Sequence, residues 1–210
     1  LISILILLSI ILILVFTPSW NNNPKNTITQ EKGNLSDVWK NKFFISLIPL
    51  CFLNYGGVQA VQTLWAGPWM LNVAGYSPLD SATGLFWINI TMLFAFMFWG
   101  YILPKFSSLG IDSIKIVKIG LPISYVVLFS IIIMGQNAGA IMFTLYILSS
   151  IVLSLTQPAL ALSFPQNLAG KSLTSINVFI HSGTFFVQWG IGLLIDLSKN
   201  MGVNTVTSYK

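Results

Sequence analysis

Six long apolar runs, parted by short polar breaks, dictate most of what this chain can become: Leu1–Phe16, Phe43–Trp65, Ser81–Leu103, Ile116–Met134, Ala140–Leu162 and Leu173–Ile195. A helix rises about 1.5 Å per residue, so ~20 apolar residues cross the hydrocarbon core of a bilayer. Of the five complete runs, four reach that length and the 19-residue run Ile116–Met134 falls within the usual range. None alternates with the two-residue period of a membrane barrel strand. Composition agrees, with 55% hydrophobic residues, 7% charged and a mean hydropathy of +0.81, where a soluble domain carries about 25% charge. The expected fold class is an all-α integral membrane protein with six transmembrane helices.

The first run spans 16 residues, begins without methionine and lacks the charged leader of a secretory signal, so it reads as the remainder of a longer helix. At the other end, Asp196–Lys210 reads as an external polar tail with a further helix missing beyond it. Between the first two runs lies the longest connector, Thr17–Lys42, rich in Asn, Lys, Thr and Pro. It reads as a boundary between two halves. Its Ser36-Asp37-Val38-Trp39-Lys40 portion is either an amphipathic helix on the membrane surface, with Trp39 at the interface, or a solvated linker.

Lysine placement sets the orientation. The net charge of +5 reflects ten lysines and no arginine. Loop by loop, four precede Phe43, none falls in 66–80, three lie in 104–118, none in 135–139, one is Lys171 and two follow Asp196. Eight of the ten therefore share the side of the Thr17–Lys42 connector, which the positive-inside rule makes cytoplasmic. Such loop lysines meet lipid headgroups, and no nucleic-acid partner is expected. A multi-pass protein of the cell inner (cytoplasmic) membrane follows. The glycosylation match at Asn89-Ile90-Thr91 lies in a span and that at Asn34-Leu35-Ser36 on the cytoplasmic side, so neither is used.

Polar residues inside the runs carry what functional signal there is. Tyr55, Gln59 and Gln62 recur on one face of the second run, with Asn54 and the Gly56-Gly57 pair close by. The fifth run holds Tyr146, Ser150, Ser154 and Gln157 before Pro158, and the sixth holds Asn177, His181, Thr184 and Gln188. A polar side chain in hydrocarbon needs a partner, so these stripes turn either to a wet cavity or to neighbouring helices. Paired glycines let a second backbone, or a ligand, come close. Asn89, in a run crowded with Phe and Trp, reads better as a helix-to-helix bond than as a cavity residue. The fourth run, nearly pure Ile, Val and Leu, should face lipid. Gly67-Pro68 should end the second span, and Ser77-Pro78-Leu79-Asp80 should start the third.

Several chemistries lack their parts. One histidine and no carboxylate inside any span leave paired acids, a Ser/His/Asp set or a metal centre without components. The lone Cys51 offers neither a disulfide nor a thiolate cluster, and no phosphate-cradling GxxxxGK loop is present. No enzyme, cofactor or metal is expected. His181 reads as a neutral imidazole bonding a helix or a solute, with proton uptake during transport as the alternative.

Four segments resemble the carboxy-terminal half of major facilitator superfamily transporters: Leu64-Trp65-Ala66-Gly67-Pro68-Trp69, Gly84-Leu85-Phe86-Trp87-Ile88-Asn89, Phe164-Pro165-Gln166-Asn167-Leu168-Ala169-Gly170-Lys171 and Gln188-Trp189-Gly190-Ile191-Gly192-Leu193-Leu194-Ile195-Asp196. The resemblance implies helices six to eleven of a twelve-helix carrier, with Thr17–Lys42 as its central loop, the last helix missing, and a site near the midplane. Helices seven and ten would line the cavity, eight and eleven flank it, and nine lie outside. The loop Gly100–Gly110 departs from the family signature, keeping only its glycines and Lys105. The function implied is alternating-access transport of a small polar solute, with Asn54, Tyr55, Gln59, Gln62, Tyr146, Ser150, Ser154, Gln157, Asn177, His181 and Gln188 as cavity-lining candidates. The coupling ion, proton or sodium, stays open. The rival is a membrane sensor or assembly subunit whose polar residues only pack helices.

Overall fold

The computed structural model describes Ile6, Leu7, Ser9, Ile10, Ile11, Ile13 and Val15, then residues 33–209. The chain divides into two units, Leu1–Lys32 and Gly33–Lys210. In the first unit the described residues are helical and exposed. Most of the expected first span, and the connector as far as Lys32, lie outside the described residues.

The second unit is a stack of helices, and no strand occurs among the described residues. Five of these helices are long and apolar enough to cross a membrane, the mark of a multi-pass membrane protein: α2 (Lys42–Asn72), α3 (Pro78–Ser108), α4 (Ser113–Asn137), α5 (Ala140–Leu162) and α6 (Gln166–Asn200). A short helix precedes them, α1 (Leu35–Lys40), and another follows, α7 (Thr205–Ser208). Short connectors force each long helix to reverse on the one before. Gly75 and Gly110, at φ +71° and +74°, make two of these reversals with a backbone that side chains resist.

Local sequence explains most of the boundaries. Asn41 starts α2 by accepting from the Phe43 and Phe44 amides at 2.9 and 3.1 Å. At α3 the expected signal is present in full: the Ser77 hydroxyl accepts from the Asp80 amide at 3.1 Å and donates to the Asp80 carboxylate at 2.6 Å, with Pro78 opening the first turn. The bounds of α5 coincide with the apolar run that marks it.

Two prolines do not act as expected. The second span does not end at Gly67-Pro68 but runs to Asn72, and the third passes Pro104 to reach Ser108. In α2 the chain widens to a five-residue register at Leu50–Tyr55 and again at Val61–Trp65, where the Ala66 amide donates to the Val61 carbonyl. The second of these stands just upstream of Pro68, where a wider turn accommodates the ring and missing N–H of a proline. The first bulge instead follows Pro49. In α5 the adjustment is the opposite, a tightening to three residues per turn at Ile151–Leu155 ahead of Pro158.

Three further expectations need correction or refinement. The segment around Trp39 is a helix, but it is docked: Val38 is fully buried with Phe44, Leu160 and Leu168, and Trp39 packs against the Phe44 and Phe179 rings. The fourth span, expected to face lipid, is exposed over most of its surface and packs along one stripe. Val117, Ser124 and Ile131, seven residues apart, form a buried stripe, with Gly120 against Val152 of α5, while Ile119, Val126 and Ile133 on other faces are exposed. The expected tail past Asp196 is ordered instead: α6 continues to Asn200, the chain turns back at Gly202, and Tyr209 accepts a bond from Asn72 at 3.2 Å beside the Trp65 ring.

Candidate functional site

Spans α2, α3 and α5 line a half-open cavity of about 170 Å³. Five of the residues marked by the sequence line it: Tyr55, Gln59 and Gln62 from α2, and Ser150 and Ser154 from α5. Met92 and Phe96 of α3 close it on the apolar side. The helical stripe in α2 explains the first three, and the four-residue step in α5 the other two.

Its polar groups differ in how far they are committed. Gln59 accepts at Oε1 from the Thr184 hydroxyl of α6 at 2.9 Å, and Gln62 donates from Nε2 to Asn89 of α3 at 3.0 Å. Each glutamine thus ties one end of its amide to a neighbouring helix and keeps the other end uncommitted. Ser154 donates to the Ile151 carbonyl at 2.7 Å. Ser150 is the exception in its helix. Thr144, Ser149, Ser154 and Thr156 all give their hydroxyl proton to a carbonyl three or four residues back. Ser150, 1% exposed, makes no such backbone bond among the described residues; its one polar neighbour there is the Tyr146 phenol one turn earlier.

The remaining marked residues are elsewhere. Asn54 and Tyr146 line a second cavity, on the side of α4 and α6. Gln157 donates to Asn177 at 3.4 Å, a contact between α5 and α6. Gln188 donates to the Thr63 hydroxyl at 2.9 Å, a bond between α6 and α2. His181 is exposed and lines neither cavity, although Thr184 of the same stripe reaches Gln59. Asn89 bonds across helices as expected, accepting from Gln62.

Thr63, Val58 and Leu153 belong to these contacts without having been marked. For Thr63 a signal exists, since it follows Gln59 by one turn and donates to the Gln59 carbonyl at 2.6 Å. Val58 and Leu153 carry no polar atom, and nothing in their sequence context separates them from packing residues. Among the described residues no group of three or more His, Cys, Asp or Glu is placed to hold a metal ion. The cavity offers neutral donors and acceptors only: an amide NH₂, an amide carbonyl, two serine hydroxyls and a phenol. Comparisons of the chain with family models, with curated proteins and with solved structures find no match.

Proposed function

We propose that this chain is part of a secondary transporter, a carrier and not an enzyme, that moves a small, polar, uncharged solute across the inner membrane by alternating access. The observation that supports the reading is the Ser150 hydroxyl, buried and unbonded to the backbone at a cavity that also holds Tyr55, Gln59, Gln62 and Ser154. In its own helix the other serine and threonine hydroxyls are satisfied by the backbone, which sets Ser150 apart. Neutral lining groups favour hydrogen bonding to the solute over ion pairing. In this reading α2 to α6 take the places of helices seven to eleven in a major facilitator arrangement, and the opposite wall comes from a first half.

The packing reading has its own support in the four side-chain bonds that join helices at Gln62–Asn89, Thr184–Gln59, Gln188–Thr63 and Gln157–Asn177. Single substitutions Ser150→Ala, Gln59→Ala and Gln188→Ala in the complete protein, scored for solute uptake and for membrane abundance, separate the two. Uptake lost at normal abundance in Ser150→Ala and Gln59→Ala speaks for the carrier. Loss of abundance in all three, with uptake per molecule unchanged, speaks for packing.

A further inference from the structure

The second cavity, about 200 Å³, backs directly onto the first, because Val58 of α2 and Leu153 of α5 line both. These two residues stand between two chambers, each mostly apolar with a few polar groups in its lining. On the far side the Asn54 amide has no protein partner among the described residues, and the Tyr125 and Tyr146 phenols face the same space. Gly57 borders that chamber too, and a methyl group added there would meet no atom within 4 Å. Each chamber alone is smaller than the ~300–1,000 Å³ of usual ligand sites, while the two joined reach the lower end of that range.

We infer that the two chambers are parts of one solute site and that Val58 and Leu153 set the upper size of the solute it accepts. The inference rests on the carrier reading. A neutral polyhydroxy solute short enough for the first chamber bonds Ser150, Gln59 and Gln62 and is taken. A longer one meets the Val58 and Leu153 methyls with hydroxyls that no partner satisfies, and is refused. Trimming the wall lets the far end of the longer solute reach Asn54. One or two methyl groups in such a position discriminate by about tenfold or more.

The test uses the complete protein in proteoliposomes and the uptake of labelled erythritol, xylitol and sorbitol, corrected for protein-free vesicles. The readout is the ratio of long to short polyol, which does not depend on how much variant is reconstituted. Val58→Ala and Leu153→Ala should raise the ratio by about tenfold, and Val58→Leu, which thickens the wall, should lower it. Wild type that carries a polyol, with a ratio unchanged in all three variants, overturns the inference alone. Wild type that carries none of the polyols overturns the carrier reading for neutral polyhydroxy solutes, and the inference with it.

Discussion

Gly56 of α2 and Gly183 of α6 meet backbone to backbone. A methyl group on Gly56 would lie 2.7 Å from the Gly183 carbonyl carbon and the Thr184 amide nitrogen, and one on Gly183 would overlap the Phe52 carbonyl oxygen. With no hydrophobic drive between helices in lipid, this close approach gives the dispersion contact that holds the pair, and it brings Thr184 within reach of Gln59. Gly183→Ala should therefore lower stability by about 1–3 kcal/mol, as overpacking does. Gly57→Ala, facing open space, should be neutral or stabilising by up to about 1 kcal/mol from helix propensity. The midpoint of denaturant unfolding in mixed micelles checks both.

Ser150→Ala should behave unlike a loss of packing. Removing a buried hydroxyl that the backbone does not satisfy changes stability by no more than about 1 kcal/mol, while solute uptake falls by about tenfold through the lost solute bond. Ser149→Ala, whose hydroxyl bonds the Tyr146 carbonyl in its own helix, should leave uptake as it is. Unfolding midpoints and initial uptake rates on the same preparations give the comparison.

The Gln188–Thr63 bond joins two helices outside the lining of the polar cavity. A double-mutant cycle with Gln188→Leu and Thr63→Val should give a coupling of about 0.6 kcal/mol, the average for such bonds between membrane helices. Uptake per molecule should persist in the double variant. A coupling near zero would mean that the bond does not form in the membrane.

Much of this arrangement is legible in the residues, and what is not has a physical reason. Hydrophobic length alone places α5, and the Ser77-Pro78 pair marks where α3 begins, because capping is settled within one turn. The Gly56-Gly57 pair signals a close approach, and Gly56 makes one. Pro68 and Pro104 mislead because a span held in place by neighbouring helices carries on past a proline, and at Pro68 a wider turn stands just upstream. Periodicity tells which face of a helix is polar but not which helix stands opposite. The partners of Gln59 and Thr63 lie 125 residues away in sequence, beyond any local signal. His181 shares a stripe with Thr184 and Gln188, yet a stripe is wider than a cavity, and the histidine falls on its exposed side. Val58 and Leu153 are invisible for a different reason, since a wall between two cavities is written in the same residues as a core.

Water access to Ser150 is the measurement that reaches the central claim most directly. In a Cys51→Ser background, Ser150→Cys in native membranes is exposed to a charged, membrane-impermeant thiol reagent, with Ile123→Cys on the lipid-facing side of α4 as the reference. A cavity open to water in turn during transport predicts rapid labelling at position 150, slowed by a transported solute, and none at position 123. Labelling at 150 as slow as at 123, with or without solute, would show a dry helix contact and contradict the account.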